Sequence, residues 1–225
     1  MNPELAHIES WIFDLDNSLY PHSCNLFELI DLRMGAYIQR LLGVDADEAR
    51  RVQKGFFHEH GTTLAGLMVN HGVEPRDFLE YVHDIDLARV TADPTLVAAM
   101  DRLPGRKFVF TNGDAPYARR VLEAIGVDQH FDELHDIHAS ELRPKPDPHG
   151  YALLCERFGI DPATAVLVED MAQNLKPAKA LGMTTVWVDN GSERGAHLAE
   201  EGHVDCVIAD VGEWLESIVG DQHES

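Results

Sequence analysis

The residues best able to do chemistry are two pairs of carboxylates. Asp14-Leu15-Asp16 closes an apolar run, and in extended chain residues i and i+2 share a face, so both carboxylates point the same way. Like charges a few ångströms apart repel, which raises one pKa strongly unless a cation sits between them. Carboxylate oxygens without His or Cys suit a hard ion, and Mg²⁺ beside a phosphate is the commonest case. A second acidic pair, Glu169-Asp170, ends another apolar run. Between the pairs, Thr111-Asn112-Gly113-Asp114 offers a hydroxyl and the N–H groups of a tight turn to an anion. Lys145, in Arg143-Pro144-Lys145-Pro146-Asp147-Pro148, is a compact cation in a loop stiffened by proline. Each feature alone also reads as solvated turn carboxylates with an Asx-turn at Asn17, a helix N-cap, a plain turn or a polyproline linker. Acidic pair, Thr, Lys and acidic pair in this order are far more specific than any one of them.

These residues need a scaffold that brings strand ends together. Short apolar, β-rich runs occur at Trp11–Leu15, Lys107–Thr111, Leu134–Ile137, Ala165–Val168, Thr184–Val188 and Asp205–Ile208. Several are apolar almost throughout, as in parallel strands buried on both faces. Helix-length segments with Asp and Pro start signals separate the later runs, as at Asp114-Ala115-Pro116 before Tyr117–Ile125, and a helix is expected at His149–Phe158. Alternating strand and helix implies an α/β fold, a doubly wound Rossmann-like parallel sheet whose carboxyl edge forms the site. The interval from Tyr20 to Thr91 contains no convincing strand. Phe27, Ile30, Met34, Ile38 and Leu41 mark an amphipathic helix closed by Gly43, and further helices are expected at Ala46–His60, Thr62–His71 and Pro75–His83. The expected organisation is an α/β core of residues 1–19 and 92–225 with an all-helical cap, 20–91, inserted as a lid and returning through Thr91–Pro94.

Composition narrows the function. With 18 Lys+Arg against 39 Asp+Glu, a formal charge of −21, there is no basic stripe for polymeric nucleic acid. The surplus does not forbid a small phosphate ester, because charges beyond ~8–10 Å are largely screened and the site carries its own cations. Three scattered cysteines form no disulfide framework or CxxC clamp. No signal-peptide pattern or ~20-residue apolar span is present, so a cytoplasmic protein with no membrane partner, monomer or homodimer, is expected. Gly61–Gly66 is followed by Leu-Met rather than the Lys-Ser/Thr of a P-loop, His58-Glu59-His60 lacks zinc-helix spacing, and no Gly-x-Ser-x-Gly elbow exists.

Phe13–Tyr20, Phe110-Thr111-Asn112-Gly113, Lys145-Pro146 and Val168-Glu169-Asp170 resemble, in order and spacing, the four motifs of the haloacid dehalogenase-like hydrolase superfamily. Asp16–Pro21, His60–Leu64, Thr111–Gly113 with Ala118–Leu122, and Glu169-Asp170 with Asn174-Leu175 are most similar to its pyrimidine 5′-nucleotidase group. Ser18 stands where threonine is usual, and Pro116-Tyr117 replaces a segment that often carries His. The resemblance implies an aspartyl-phosphate mechanism with Mg²⁺: Asp14 as nucleophile, Asp16 as acid/base and, through its backbone carbonyl, a metal ligand, and Asp170 with Glu169 completing the metal set. Thr111, Asn112, Gly113, Lys145 and Asn174 would hold phosphate or substrate. The expected partner is a small phosphorylated metabolite, foremost a nucleoside monophosphate. Phosphatases of phosphoglycolate or sugar phosphates, a phosphosugar mutase and, more remotely, a receiver-like phosphoacceptor are the alternatives. A haloacid dehalogenase has no need of a carboxylate two residues after its nucleophile, so Asp16 argues against that activity.

Overall fold

Every residue of β1 (Ser10–Phe13) is buried, which demands cover on both faces of the sheet. The computed structural model describes residues 5–192, 195–197, 199 and 202–220. Its sheet also contains β2 (Arg106–Phe110), β3 (Glu133–His135), β4 (Ala165–Glu169), β5 (Thr184–Val188) and β6 (Cys206–Ile208). All pairings are parallel and the order is β3-β2-β1-β4-β5-β6. This is the doubly wound α/β arrangement expected from the alternating runs. The chain builds outward from β1 to β3 and then returns to β4 on the other side of β1, making a topological switch point between β1 and β4.

Contact density divides the chain into two units, Met1–Cys24 with Val90–Ser225, and Asn25–Arg89. In the first, α5 (Pro94–Arg102), α6 (Ala115–Ile125), α7 (Pro148–Phe158), α8 (Ala172–Leu181) and α9 (Val211–Val219) accompany the sheet. Ile12, Phe108, Phe110 and Leu167 pack with Tyr151, Leu154 and Leu175 of α7 and α8. Trp11 meets Trp214 of α9 edge-on at 6.2 Å. The second unit contains α1 (Leu26–Leu42), α2 (Ala46–His60), α3 (Thr63–His71) and α4 (Pro75–His83). Asp45 caps α2, Thr62 caps α3 and Pro75 opens α4. Gly66 lets α3 press onto α2: a Cβ there would lie 2.3 Å from Phe56.

Two details differ from the sequence reading. Five of the six strands begin or end at least one residue away from the expected limits, β5 alone matching; β1 and β2 stop before Asp14 and Thr111, each of which makes one last bond to the neighbouring strand before the chain turns into the crevice. In α1 the buried apolar residues are Leu26, Ile30 and Ile38, while Phe27 and Leu41 are exposed. Both exposed residues lie in terminal turns, where a wheel, which counts angle and not position along the axis, loses its force. Among the described residues, no helix is long and apolar enough to cross a membrane.

His135 of β3 is fully buried and neither ring nitrogen has a hydrogen-bond partner among the described residues. Burial, reinforced by Arg157 and opposed by Asp136, lowers its pKa from 6.5 to about 4. A histidine depressed in the folded state leaves the unfolded chain binding more protons between these values, so stability is complete above 6.5 and declines as pH falls toward 4. The loss is about 3 kcal/mol. Denaturant unfolding of wild type and His135→Leu between pH 7 and pH 4 checks this: the variant should gain about that much relative to wild type.

Candidate active site

The switch point places Asp14 beside the second acidic pair, while the Asp16 carboxylate, expected to share its face, is not part of that cluster and meets two phenols instead. Phe13 is in register with Val168, and Asp14 extends the ladder by one bond, its N–H donating to the Val168 carbonyl at 2.9 Å, so Asp14 leaves the sheet level with Glu169. Asn17 then adopts a left-handed conformation at φ 60°, which Asn tolerates better than most residues. The turn brings Ser18 back under Asp14. Ser18 Oγ donates to Asp14 Oδ2 at 2.9 Å and accepts from the Asp170 N–H at 3.0 Å. One hydroxyl thereby ties the two strand ends together.

Lys145 is the cation at the centre. Its buried ammonium donates to Asp14 Oδ1 at 2.7 Å, Glu169 Oε2 at 2.6 Å and the Phe110 carbonyl at 2.8 Å, which uses all three of its donors. Burial alone would lower its pKa, but the charges and hydrogen bonds of Asp14 and Glu169 together outweigh it and hold the pKa above the ordinary lysine value. The loop is fixed by Asn112, whose side chain accepts from the Lys145 N–H at 2.8 Å and donates to its carbonyl at 3.3 Å. The Asn112 amide therefore positions Lys145.

Asp14, Glu169 and Asp170 are all buried, and one oxygen from each lies within 4.8 Å of the others. Burial, then repulsion from Asp14, raises the Glu169 pKa against the pull of Lys145. Burial, then Glu169 and Asp14, raises that of Asp170. Three carboxylates facing one ammonium leave a deficit of positive charge, and an all-oxygen donor set of this kind fits a hard divalent cation. Asp170 is held by Asn190 Nδ2, which donates to its Oδ2 at 3.1 Å, and by Trp187 Nε1, which donates to its carbonyl at 2.8 Å. Sequence reasoning missed both residues. Asn190 follows the carboxyl end of β5, so the strand-end rule that found the other positions could have found this one.

The remaining candidates separate. Asp16 Oδ1 accepts from the phenols of Tyr20 and Tyr117 at 2.6 and 2.7 Å. Thr111, almost fully buried, accepts from the Gly113 N–H at 3.0 Å, closing the turn that leads into α6. Asn174 lies in the first turns of α8, nearly buried, with no partner for its Oδ1 among the described residues. In the helical unit, Thr62 Oγ1 accepts from Ala65 N and Thr63 Oγ1 donates to the Gln53 carbonyl, so both hydroxyls are engaged within that unit. A cavity of about 420 Å³ in the α/β unit is lined by Tyr20, His22, Asp189 and Asp210. None of the clustered carboxylates lines it; it adjoins them through Ser18 and Asn190.

A doubly wound parallel sheet with buried carboxylates at its switch point defines an α/β protein with a charged crevice at its strand ends. Residues 10–182 match the model of the haloacid dehalogenase-like hydrolases, and the chain belongs to that family. It is 26% identical to phosphate metabolism protein 8 of Saccharomyces cerevisiae over 96% of its own length and 66% of that protein. It is 33% identical to the validoxylamine A 7′-phosphate phosphatase of Streptomyces hygroscopicus subsp. limoneus over 47% of each chain. The chain thus spans less than two thirds of either relative. Among solved structures, a HAD phosphatase from Thermococcus onnurineus superposes with a TM-score of 0.66 at 21% identity, covering 95% of this chain and 98% of that one.

Proposed function

We propose that the protein is a Mg²⁺-dependent phosphomonoesterase that works through an aspartyl-phosphate on Asp14, with a pyrimidine nucleoside monophosphate as the favoured substrate. The observation that carries the reading is the buried group of Asp14, Glu169, Asp170 and Lys145, with one oxygen of each carboxylate within 4.8 Å of the others and the ammonium on Asp14 and Glu169. Asp14, Asp170 and Glu169, with the Asp16 carbonyl, would hold the metal. Bound there, Mg²⁺ would neutralise phosphate oxygens and help keep Asp14 ionised.

Asp14 attacks phosphorus in line, forming the carboxylate–phosphorus bond as the ester oxygen departs. Asp16 delivers a proton to that oxygen and then takes one from the water that cleaves the aspartyl-phosphate, which returns Asp14 and releases phosphate. Lys145, Thr111 and the backbone of Asn112 and Gly113 spread the charge of the transferring group. Asn174 is assigned to the same phosphate and substrate set. The helical unit Asn25–Arg89 is given the role of the cap that selects the leaving group.

Support for the nucleotidase comes from the motif residues Asp16–Pro21, His60–Leu64 and Asn174-Leu175. A phosphatase of another small phosphate ester is the second reading, favoured by the 33% identity to the validoxylamine A 7′-phosphate phosphatase. Phosphate release from nucleoside monophosphates, sugar phosphates and phosphoglycolate, with Mg²⁺ and with chelator, separates them. Preference for UMP, dUMP or CMP is expected, with activity lost to chelator and restored by Mg²⁺. A flat profile would favour the second reading, and chelator-resistant turnover would remove the metal from the mechanism. Product analysis with a sugar phosphate and a bisphosphate primer tests for mutase activity, which would appear as isomerised ester instead of free phosphate.

A further inference from the structure

We propose that Tyr20 and Tyr117 are positioning residues for Asp16: together they occupy one oxygen of its carboxylate and so direct proton transfer through the other. The inference rests on the acid/base role given to Asp16 above. Both phenols donate to Oδ1, at 2.6 and 2.7 Å. A carboxylate oxygen has two lone pairs in its plane, so two donors fill it. The proton exchanged with leaving group and water must then travel through Oδ2. The torsion that orients a carboxylate is soft and roughly twofold, and two donors converging on one oxygen from separate elements remove that freedom.

Each tyrosine is itself fixed. Tyr20 is four residues beyond Asp16, in the turn that follows β1, and is 3% exposed. Tyr117 is 1% exposed in the first turn of α6. Its N–H is capped by Asp114 at 3.2 Å, and a Cβ on Gly113 would lie 3.1 Å from its ring. The turn Thr111–Asp114 therefore both ends β2 at the phosphate position and sets the ring against Asp16.

A buried phenol also needs a hydrogen-bond partner merely to fold, and the test must tell that role from positioning. Proton donation matters most for poor leaving groups, and kcat/KM reports the step in which the ester bond breaks. Purified wild type, Tyr20→Phe, Tyr117→Phe and the double variant should be assayed with Mg²⁺ on a series from phenyl to dinitrophenyl phosphate. The same tyrosine substitutions should also be made in an Asp16→Asn background.

Each single variant should lose roughly tenfold in kcat/KM on phenyl phosphate and less than about twofold on dinitrophenyl phosphate, steepening the dependence on leaving-group acidity. In the Asp16→Asn background the tyrosine substitutions should have no further effect. An equal fall along the whole series, an unchanged slope, or effects that persist in the Asp16→Asn background would overturn the proposal while leaving the phosphatase reading intact. Failure of wild type to hydrolyse any member of the series or of the metabolite panel would overturn both.

Discussion

Asp14→Asn should reduce phosphate release by at least about 10⁴-fold with the fold intact. A carboxamide cannot form the aspartyl-phosphate, and the neighbouring carboxylates among the described residues, Asp170 on Asn190 included, are engaged by other partners. Glu169 is held by Lys145 and by the Met171 N–H at 3.1 Å, and Asp16 is held by two phenols. The change is nearly isosteric, and the amide oxygen can still accept from Lys145. It also removes one of three carboxylates that crowd a single ammonium, so melting temperature should hold or rise slightly. Release rates with Mg²⁺ and a thermal melt on the same preparation test both halves. Turnover within tenfold of wild type would rule out Asp14 as nucleophile. A collapse of the melt would instead assign its carboxylate a structural role.

The unequal legibility of the site follows from which interactions are local. Asp14, Thr111 and Glu169 were readable because each ends an apolar run, and a parallel sheet brings such ends together whatever lies between. Lys145 was identified as a cation near carboxylates, but its three-way contact depends on Asn112 gripping its backbone from 33 residues away. The role of Asn112 as a brace for Lys145 was accordingly invisible. Tyr117 reaches Asp16 across 101 residues, and in sequence it registered only as a departure from a familiar His. For the fold, β5 was read at Thr184–Val188, as observed, because both its faces are covered. The carboxyl limits of β1 and β2 shifted because Asp14 and Thr111 make only one last bond to the neighbouring strand before the chain turns into the crevice. In α1, periodicity located the helix but could not tell Leu26 from Phe27, since position along the axis decides exposure in a terminal turn.

Lys145→Met should destabilise the protein by about 3–5 kcal/mol, the range for leaving buried charge uncompensated. Methionine keeps the packing of the aliphatic stem, so the loss measures the charge itself. What remains is Asp14, Glu169 and Asp170, buried with oxygens within 4.8 Å of one another and with no ammonium among them. For a chain of this size that corresponds to a melting temperature lower by roughly 10 °C. Mg²⁺ that binds only the folded state should recover part of it, about 2.7 kcal/mol at one hundred times its Kd. Recovery of stability should not restore catalysis, because a point charge on the transferring phosphoryl group is still missing, and turnover should stay down by 10²-fold or more. Lys145→Arg should fail as well. The three acceptors converge on a single nitrogen at 2.6–2.8 Å, a geometry that a compact ammonium satisfies and a planar guanidinium fork does not. A melt within two degrees of wild type for Lys145→Met, or wild-type turnover for Lys145→Arg, would show that the cluster is held by something other than this ammonium.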